Sequence, residues 1–158
     1  MTVRSIARLL ACLIVCVGIG IVGSIFTRPE IPGWYAGLVK PSWTPPPFVF
    51  PIAWTTLYVM MAIAFWRLWD RVAPSDARQR AIVFFTIQLV LNAIWSPVFF
   101  GWHGMRTGLA IIVVMAVFIT ATIASAVRID RAAAALLVPY LCWVLYASTI
   151  NAGVVALN

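Results

Sequence analysis

Ionisable side chains are scarce in this chain. Of 158 residues only four are Asp or Glu, one is His, and charged residues make up 9%. Asp, Glu, Lys and Arg are missing altogether from five long stretches: Leu9 to Thr27, Pro41 to Trp66, Ala81 to Gly104, Thr107 to Val127 and Ala132 to Asn158. These absences exclude several chemistries together. Proton-coupled pumps keep ionisable groups inside their spans for the relay, metal hydrolases need clusters of His and carboxylate, and nucleophile triads need a base. The single histidine, His103, falls in a tight loop. Cysteine is also sparse: Cys12, Cys16 and Cys142 all lie inside apolar runs, show no zinc spacing, and read as small apolar packers. A chain of this kind binds something apolar, moves something passively, or is structural.

What is present is hydrophobic length. Residues of hydrophobic type make up 64% and mean hydropathy is +1.03, far outside the range of soluble domains. A bilayer core about 30 Å thick takes roughly 20 helical residues, so crossing the membrane uses nearly the whole chain. Open sheets cannot satisfy their backbone in lipid. The expected fold is an all-α integral membrane protein. It is a five-transmembrane-helix bundle in one domain, 1–158, with spans near 6–26, 47–69, 81–101, 107–127 and 132–156. Arg4 and Arg8 before an apolar run resemble a signal peptide, and Leu9-Leu10-Ala11-Cys12 a lipoprotein cleavage site. The run continues unbroken to Phe26, however, which is longer than a signal's apolar region; it reads as the first span.

Net charge is +7, and its placement points to the membrane rather than to nucleic acid. With the amino terminus and the second and fourth loops on one side, that side carries Arg4, Arg8, Arg67, Arg71, Arg78, Arg80, Arg128 and Arg131. The other side carries Arg28, Lys40 and Arg106. Eight against three places the amino terminus in the cytoplasm and, with five spans, the carboxyl terminus outside. Helical spans favour an inner bacterial membrane over an outer one, where barrels are usual.

Small residues recur in two places. Gly18-Ile19-Gly20-Ile21-Val22-Gly23 matches the dinucleotide-binding pattern but has neither the strand before it nor the acidic residue after it. It reads as a surface for close helix approach. Ala116, Thr120 and Ala124 form another ridge, suited either to internal packing or to a homodimer contact.

The few polar residues within the spans follow helical spacing. Gln88, Asn92, Trp95 and Phe99 share one face of the third span; Tyr140, Trp143, Ala147 and Asn151 share one face of the fifth; Trp54, Tyr58 and Met61 share one of the second. Such faces serve interhelical hydrogen bonding and aromatic packing. They equally line one cavity whose aromatic walls would suit a flat conjugated ligand. Of eight tryptophans, Trp34, Trp43, Trp66, Trp69 and Trp102 lie near span ends and read as interfacial anchors, whereas Trp54, Trp95 and Trp143 do not. Between the first two spans, Arg28 to Pro47 carries Pro29, Pro32, Pro41, Pro45, Pro46 and Pro47. That density of proline makes a stiff lid over one mouth of the bundle. The second span is expected to start near Phe48, and Pro97 and Pro139 to kink the third and fifth.

Several of these motifs resemble one known family. Trp34-Tyr35-Ala36-Gly37-Leu38, then Lys40-Pro41-Ser42-Trp43, Pro45-Pro46, Trp54 and Leu57-Tyr58 are similar to the signature of the translocator protein family, also called TspO or tryptophan-rich sensory protein and formerly the peripheral-type benzodiazepine receptor. Gln88-Leu89, Leu91-Asn92, Trp95, Pro97 and Phe99-Phe100-Gly101 resemble its third span; Pro139-Tyr140-Leu141, Trp143, Ala147 and Asn151 resemble its fifth. The resemblance covers all five spans in order and identifies a bacterial member. It implies a five-helix bundle, commonly a homodimer, whose pocket under the first loop accepts porphyrins, haem, and synthetic isoquinoline or benzodiazepine-type ligands.

By position the implied pocket falls on Trp54, Tyr58, Asn92, Trp95, Trp143, Ala147 and Asn151, with Pro45 and Pro46 at the lid and Trp34, Lys40, Pro41 and Trp43 as the loop motif. No obligatory cofactor or metal is implied; protoporphyrin or haem would be a ligand. The leading expectation is a tetrapyrrole receptor or sensor. Alternatives are a passive carrier of porphyrin or sterol, and light-dependent porphyrin degradation using Trp54 and Trp143. One departure concerns sterols. The carboxyl-terminal sterol pattern of mammalian relatives needs a Lys or Arg after its Tyr, and none follows Tyr140 or Tyr146. A reversed pattern, Arg80 with Phe84 and Leu89, is weak. Thr107 also stands where mammalian members carry a tryptophan.

Overall fold

The computed structural model of the chain describes residues 2–158. Six α-helices follow one another: α1 (Val3–Glu30), α2 (Trp34–Gly37), α3 (Val49–Trp66), α4 (Asp76–Ser96), α5 (Met105–Ala126) and α6 (Arg131–Leu157). A π-helical turn extends α3 over Arg67–Arg71 and another extends α4 over Pro97–Gly101. Five of the helices, those two with their π turns, are long and apolar enough to cross a membrane, and no described residue is in a strand. The fold is the expected all-α membrane bundle.

Local chemistry sets where these helices begin. Thr2, Ser75 and Asp130 each stand just before a helix, and their side-chain oxygens accept from the backbone N–H of Ser5, Arg78 and Ala133, at 3.2, 3.2 and 2.9 Å. Each cap satisfies a donor that the first turn leaves free. The proline run ends as expected: α3 starts at Val49, whose N–H donates to Pro46 O at 3.0 Å.

Around the bundle, neighbours run α1, α3, α6, α5, α4 and back to α1. Association inside lipid is driven by close packing and interhelical hydrogen bonds rather than by exclusion of water. The interior is accordingly dense: Cys16, Met61, Ala62, Ala64, Phe85, Ala126, Ala133, Tyr140 and Val144 have no exposed surface. Phe65 of α3 stacks on Phe85 of α4 with centroids 4.6 Å apart.

Among the described residues, two ion pairs and one histidine–carboxylate contact, each joining elements distant in sequence, fasten the helix ends. At the arginine-rich end Arg8 of α1 meets Asp70 at 2.9 Å and Arg67 meets Asp130 at 3.0 Å; at the other, His103 Nε2 meets Glu30 at 2.9 Å. Three of the four acidic residues are thus taken up in joining span ends.

The structure amends four expectations. The first helix does not stop at the apolar boundary but continues to Glu30, with Pro29 in its last turn; proline there removes one hydrogen bond and crowds the Ile25 carbonyl, and only Glu30 follows it before the helix ends. The loop contains one turn of helix, α2. Trp66 is no interfacial anchor: it is 6% exposed, its Nε1 donates to Ser5 O at 3.1 Å, and the Arg71 guanidinium lies 5.1 Å from its ring. Trp34 is occupied inside the loop by packing described below. Trp43, Trp69 and Trp102 remain exposed near span ends. Pro97 opens the π turn, whereas α6 runs through Pro139 without ending.

Candidate ligand site

Midway through the bundle three helices are tied by one chain of hydrogen bonds. Tyr58 of α3 donates its hydroxyl to Asn92 Oδ1 of α4 at 2.8 Å; Asn92 Nδ2 donates to Tyr140 Oη of α6 at 3.1 Å; Tyr140 donates in turn to Gln88 Oε1 of α4 at 2.8 Å. Met115 of α5 brings its sulfur to 3.4 Å from the same hydroxyl. The helical spacing of Gln88 and Asn92, four apart, points both amides at one tyrosine. In a medium without water such groups must find one another.

Against this chain leans an aromatic wall. Trp54 stacks on Tyr58 with centroids 5.5 Å apart, meets Tyr140 edge-on at 6.3 Å, and meets Trp143 edge-on at 6.5 Å and 88°. Phe50 and Tyr146 also pack on Trp143, with centroids at 5.9 and 5.8 Å. These are the edge-to-face and offset geometries that ring quadrupoles favour. Ala147, one turn along α6 from Trp143, adds a small side chain to the same packed group.

Tyr58 can lie where it does because α1 has no side chain opposite: a β-carbon on Gly20 would collide with the Tyr58 ring. The glycine-rich stretch therefore admits a side chain, rather than a neighbouring backbone alone.

Trp95 and Asn151 lie toward the lid and do different work. Trp95 Nε1 donates to Gly108 O at 3.1 Å and Asn151 Nδ2 to Met105 O at 3.0 Å, so both fasten the first turns of α5. Trp95 stacks on Phe99, centroids 4.9 Å apart. Over Phe99 and Phe100 sits α2: Trp34 meets them at 5.5 and 6.3 Å and stacks on His103 at 4.2 Å, with Tyr35 on Phe100 at 5.4 Å.

The loop motif serves the lid. Lys40 Nζ reaches back to Leu38 O at 3.0 Å and lies 4.7 Å from the Tyr35 ring. Pro41 is buried against Gly153 of α6, where an added β-carbon would come within 2.8 Å of its ring. Trp43 O accepts from Tyr146 Oη at 2.6 Å, and Asn158 pairs with the Val39 backbone at 3.1 and 2.9 Å. Pro45 is half-buried, while Pro46 and the Trp43 ring stay exposed.

Three buried polar atoms in this region have no partner among the described residues: Gln88 Nε2, Trp143 Nε1 and Asn151 Oδ1. Two are donors beside the Trp54 wall and one is an acceptor under the lid. Chemically the arrangement offers planar apolar faces and a few unspent hydrogen bonds. No group of three metal-ligating side chains occurs among the described residues. Sequence reasoning singled out Gln88 on the right face without giving it a site role, read the Gly20 stretch as a close-approach surface without connecting it to Tyr58, and missed Phe50; only the direction of Tyr58 and Trp143 across helices reveals those contacts.

Comparison with known proteins agrees with this architecture. The profile of the TspO/MBR family matches residues 12–157. The tryptophan-rich protein TspO of Chlorobaculum tepidum is 39% identical over 155 residues, 98% of either chain. The tryptophan-rich sensory protein of Cereibacter sphaeroides is 42% identical over 79% of this chain and 77% of its own, and the translocator protein of Homo sapiens 37% identical over 82% and 78%. A match running from the first span to the last, on a five-helix membrane bundle, has one meaning: the chain belongs to the TspO/MBR family.

Proposed function

We propose that this integral membrane protein is a receptor or sensor that binds tetrapyrroles, protoporphyrin or haem, between α3, α4 and α6. The observation that carries the reading is the packed group of Trp54, Tyr58, Tyr140 and Trp143, with unpaired donors on Trp143 and Gln88 beside it. A macrocycle presents a large π face and carboxylate substituents. Entering, it would exchange ring–ring contacts for ring–macrocycle contacts of the same kind and offer acceptors to those donors. The lid of α2 and the Pro41–Trp43 turn would then govern access from one side. The names of the relatives, sensory protein and translocator protein, are in keeping with recognition of a ligand in the membrane.

The test is titration of detergent-purified protein with protoporphyrin in the dark, following tryptophan fluorescence. Saturable quenching is expected, weakened about 3- to 10-fold in Trp54→Phe and in Trp143→Phe, the worth of one aromatic contact. Absent quenching, or quenching indifferent to both substitutions, would refute the site. A second reading is light-dependent breakdown of the bound porphyrin, for which Trp54 and Trp143 stand in contact at one wall of the site. Under illumination that reading demands more than one porphyrin consumed per protein with both tryptophans intact.

A further inference from the structure

Apart from that site, the outer face of the bundle carries a groove of about 550 Å³ between α5 and α6. Its α5 wall is Val113, Ala116, Val117, Thr120, Ala121 and Ala124, spaced so as to form one helix face. Of the small-residue ridge, Ala116 packs into the buried core, while Thr120 and Ala124 turn outward into this groove. Ala116 is the floor, 8% exposed, and Val113 and Val117 are rims exposed by 50% and 61%. The groove's hydroxyls are already used: Thr120 Oγ1 donates to Ala116 O at 2.8 Å and Ser148 Oγ to Leu145 O at 2.7 Å. Neither hydroxyl has a proton left to donate, and the rest of the lining is apolar side chain.

At its arginine-rich end the groove meets a second, polar hollow of about 240 Å³ between α4 and α5, and Ala124 lines both. That hollow is bordered by Arg80 and Arg128. No carboxylate among the described residues pairs with either: Asp76, one turn of α4 before Arg80, does not reach ion-pair distance, and Asp130, two residues beyond Arg128, is taken by Arg67. Two uncommitted guanidinium groups thus stand where an apolar trough ends. The trough runs from Val113 to Ala124, a rise of about 16 Å at 1.5 Å per residue. Half of a hydrocarbon core is about 15 Å. Its length is one leaflet deep.

We propose that this trough and notch are a binding site for an anionic glycerophospholipid. An acyl chain lies along α5 and α6, the glycerol crosses the small Ala124, and the phosphate meets Arg80 and Arg128. On the positive-inside reading the lipid comes from the cytoplasmic leaflet. Charge decides against a second copy of this chain as occupant: burying two unpaired guanidinium groups at a protein contact would be costly, whereas an anionic headgroup neutralises them.

The site is tested with the full chain in detergent micelles doped with equal phosphatidylglycerol and phosphatidylcholine, reading retained lipid and oligomeric state by native mass spectrometry. The wild-type chain should retain phosphatidylglycerol preferentially, by up to roughly 30-fold for two arginines at a membrane surface. The Arg80→Gln/Arg128→Gln protein should lose that preference, and an Arg4→Gln/Arg131→Gln control, altering two other arginines of the same end, should keep it. Ala124→Leu, a lipid-facing change tolerated by folding, should block the crossing and lower phosphatidylglycerol retention with both arginines present. Equal retention of the two lipids by the wild-type chain, or equal loss of preference in the control, would overturn the proposal. So would Ala124→Leu altering the oligomeric state while leaving lipid retention unchanged, which would make the groove a face between copies.

Discussion

Tyr140 is the residue on which the interior depends most. Fully buried, it accepts from Asn92 and donates to Gln88, and in lipid neither amide has water as a substitute. Tyr140→Phe strands a donor on Asn92 and an acceptor on Gln88, whereas Tyr58→Phe strands only Asn92 Oδ1. An unsatisfied buried group costs about 1–3 kcal/mol, so thermal unfolding in detergent should show Tyr140→Phe lowering stability by roughly twice the amount of Tyr58→Phe. Equal losses would mean that the second amide finds another partner. At this scale the sequence was partly legible. The spacing of Gln88 with Asn92 and of Trp54 with Tyr58 marks shared faces. Which tyrosine meets which amide is set by helix rotation and depth, on which spacing within one helix is silent. Hence Trp95 and Asn151, on the same faces as Gln88 and Trp143, turn out to secure the start of α5.

At the scale of elements, the junction of α3 with α6 rests on Asp130. Its carboxylate caps α6 through Ala133 N–H and takes Arg67 in a two-pronged contact at 3.0 to 3.2 Å. Burial pushes the carboxyl up, but the Ala133 amide and the Arg67 guanidinium outweigh it and hold the group below the usual carboxylate range. A depressed native pKa contributes stability that is complete above the unfolded value, about 3.9 for Asp, and is lost as pH falls toward the native value. Asp130→Asn keeps an acceptor for the cap and forfeits the charge. In thermal melts it should be destabilised by about 1 kcal/mol near pH 7, the upper range for a partly exposed pair, with the gap to wild type closing below about pH 4. A gap that stayed constant would assign the loss to packing. The Arg67 pairing, across two spans, was not legible in the sequence. The lid shows the same limit. Its prolines announce a stiff segment, but its seat on Phe99, Phe100 and Gly153 depends on where the ends of α4 and α6 meet.

For the whole molecule, the ring order α1, α3, α6, α5, α4 decides which surfaces face lipid. It closes α1 onto the bundle through Cys12 and Cys16, exposed by 1% and 0%, and leaves Cys142 on the outside. A small maleimide applied to the native protein in detergent should leave Cys12 and Cys16 unmodified, and should modify all three thiols after unfolding in sodium dodecyl sulfate. Ready labelling of Cys12 or Cys16 would mean that α1 is not held as described. The same order leaves the α5–α6 groove open to lipid and brings Arg80 beside Arg128.

Length and apolarity alone determined that the chain crosses a membrane five times as helices, because lipid offers the backbone no other partner. Its motifs sufficed to place it in a family. Tertiary structure decided which polar atoms are spent inside the bundle and which remain free, which tryptophans serve as walls, and where the uncommitted arginines meet the groove. Those outcomes depend on distances between helices far apart in sequence, and within a uniformly apolar segment periodicity carries little information about which face turns inward.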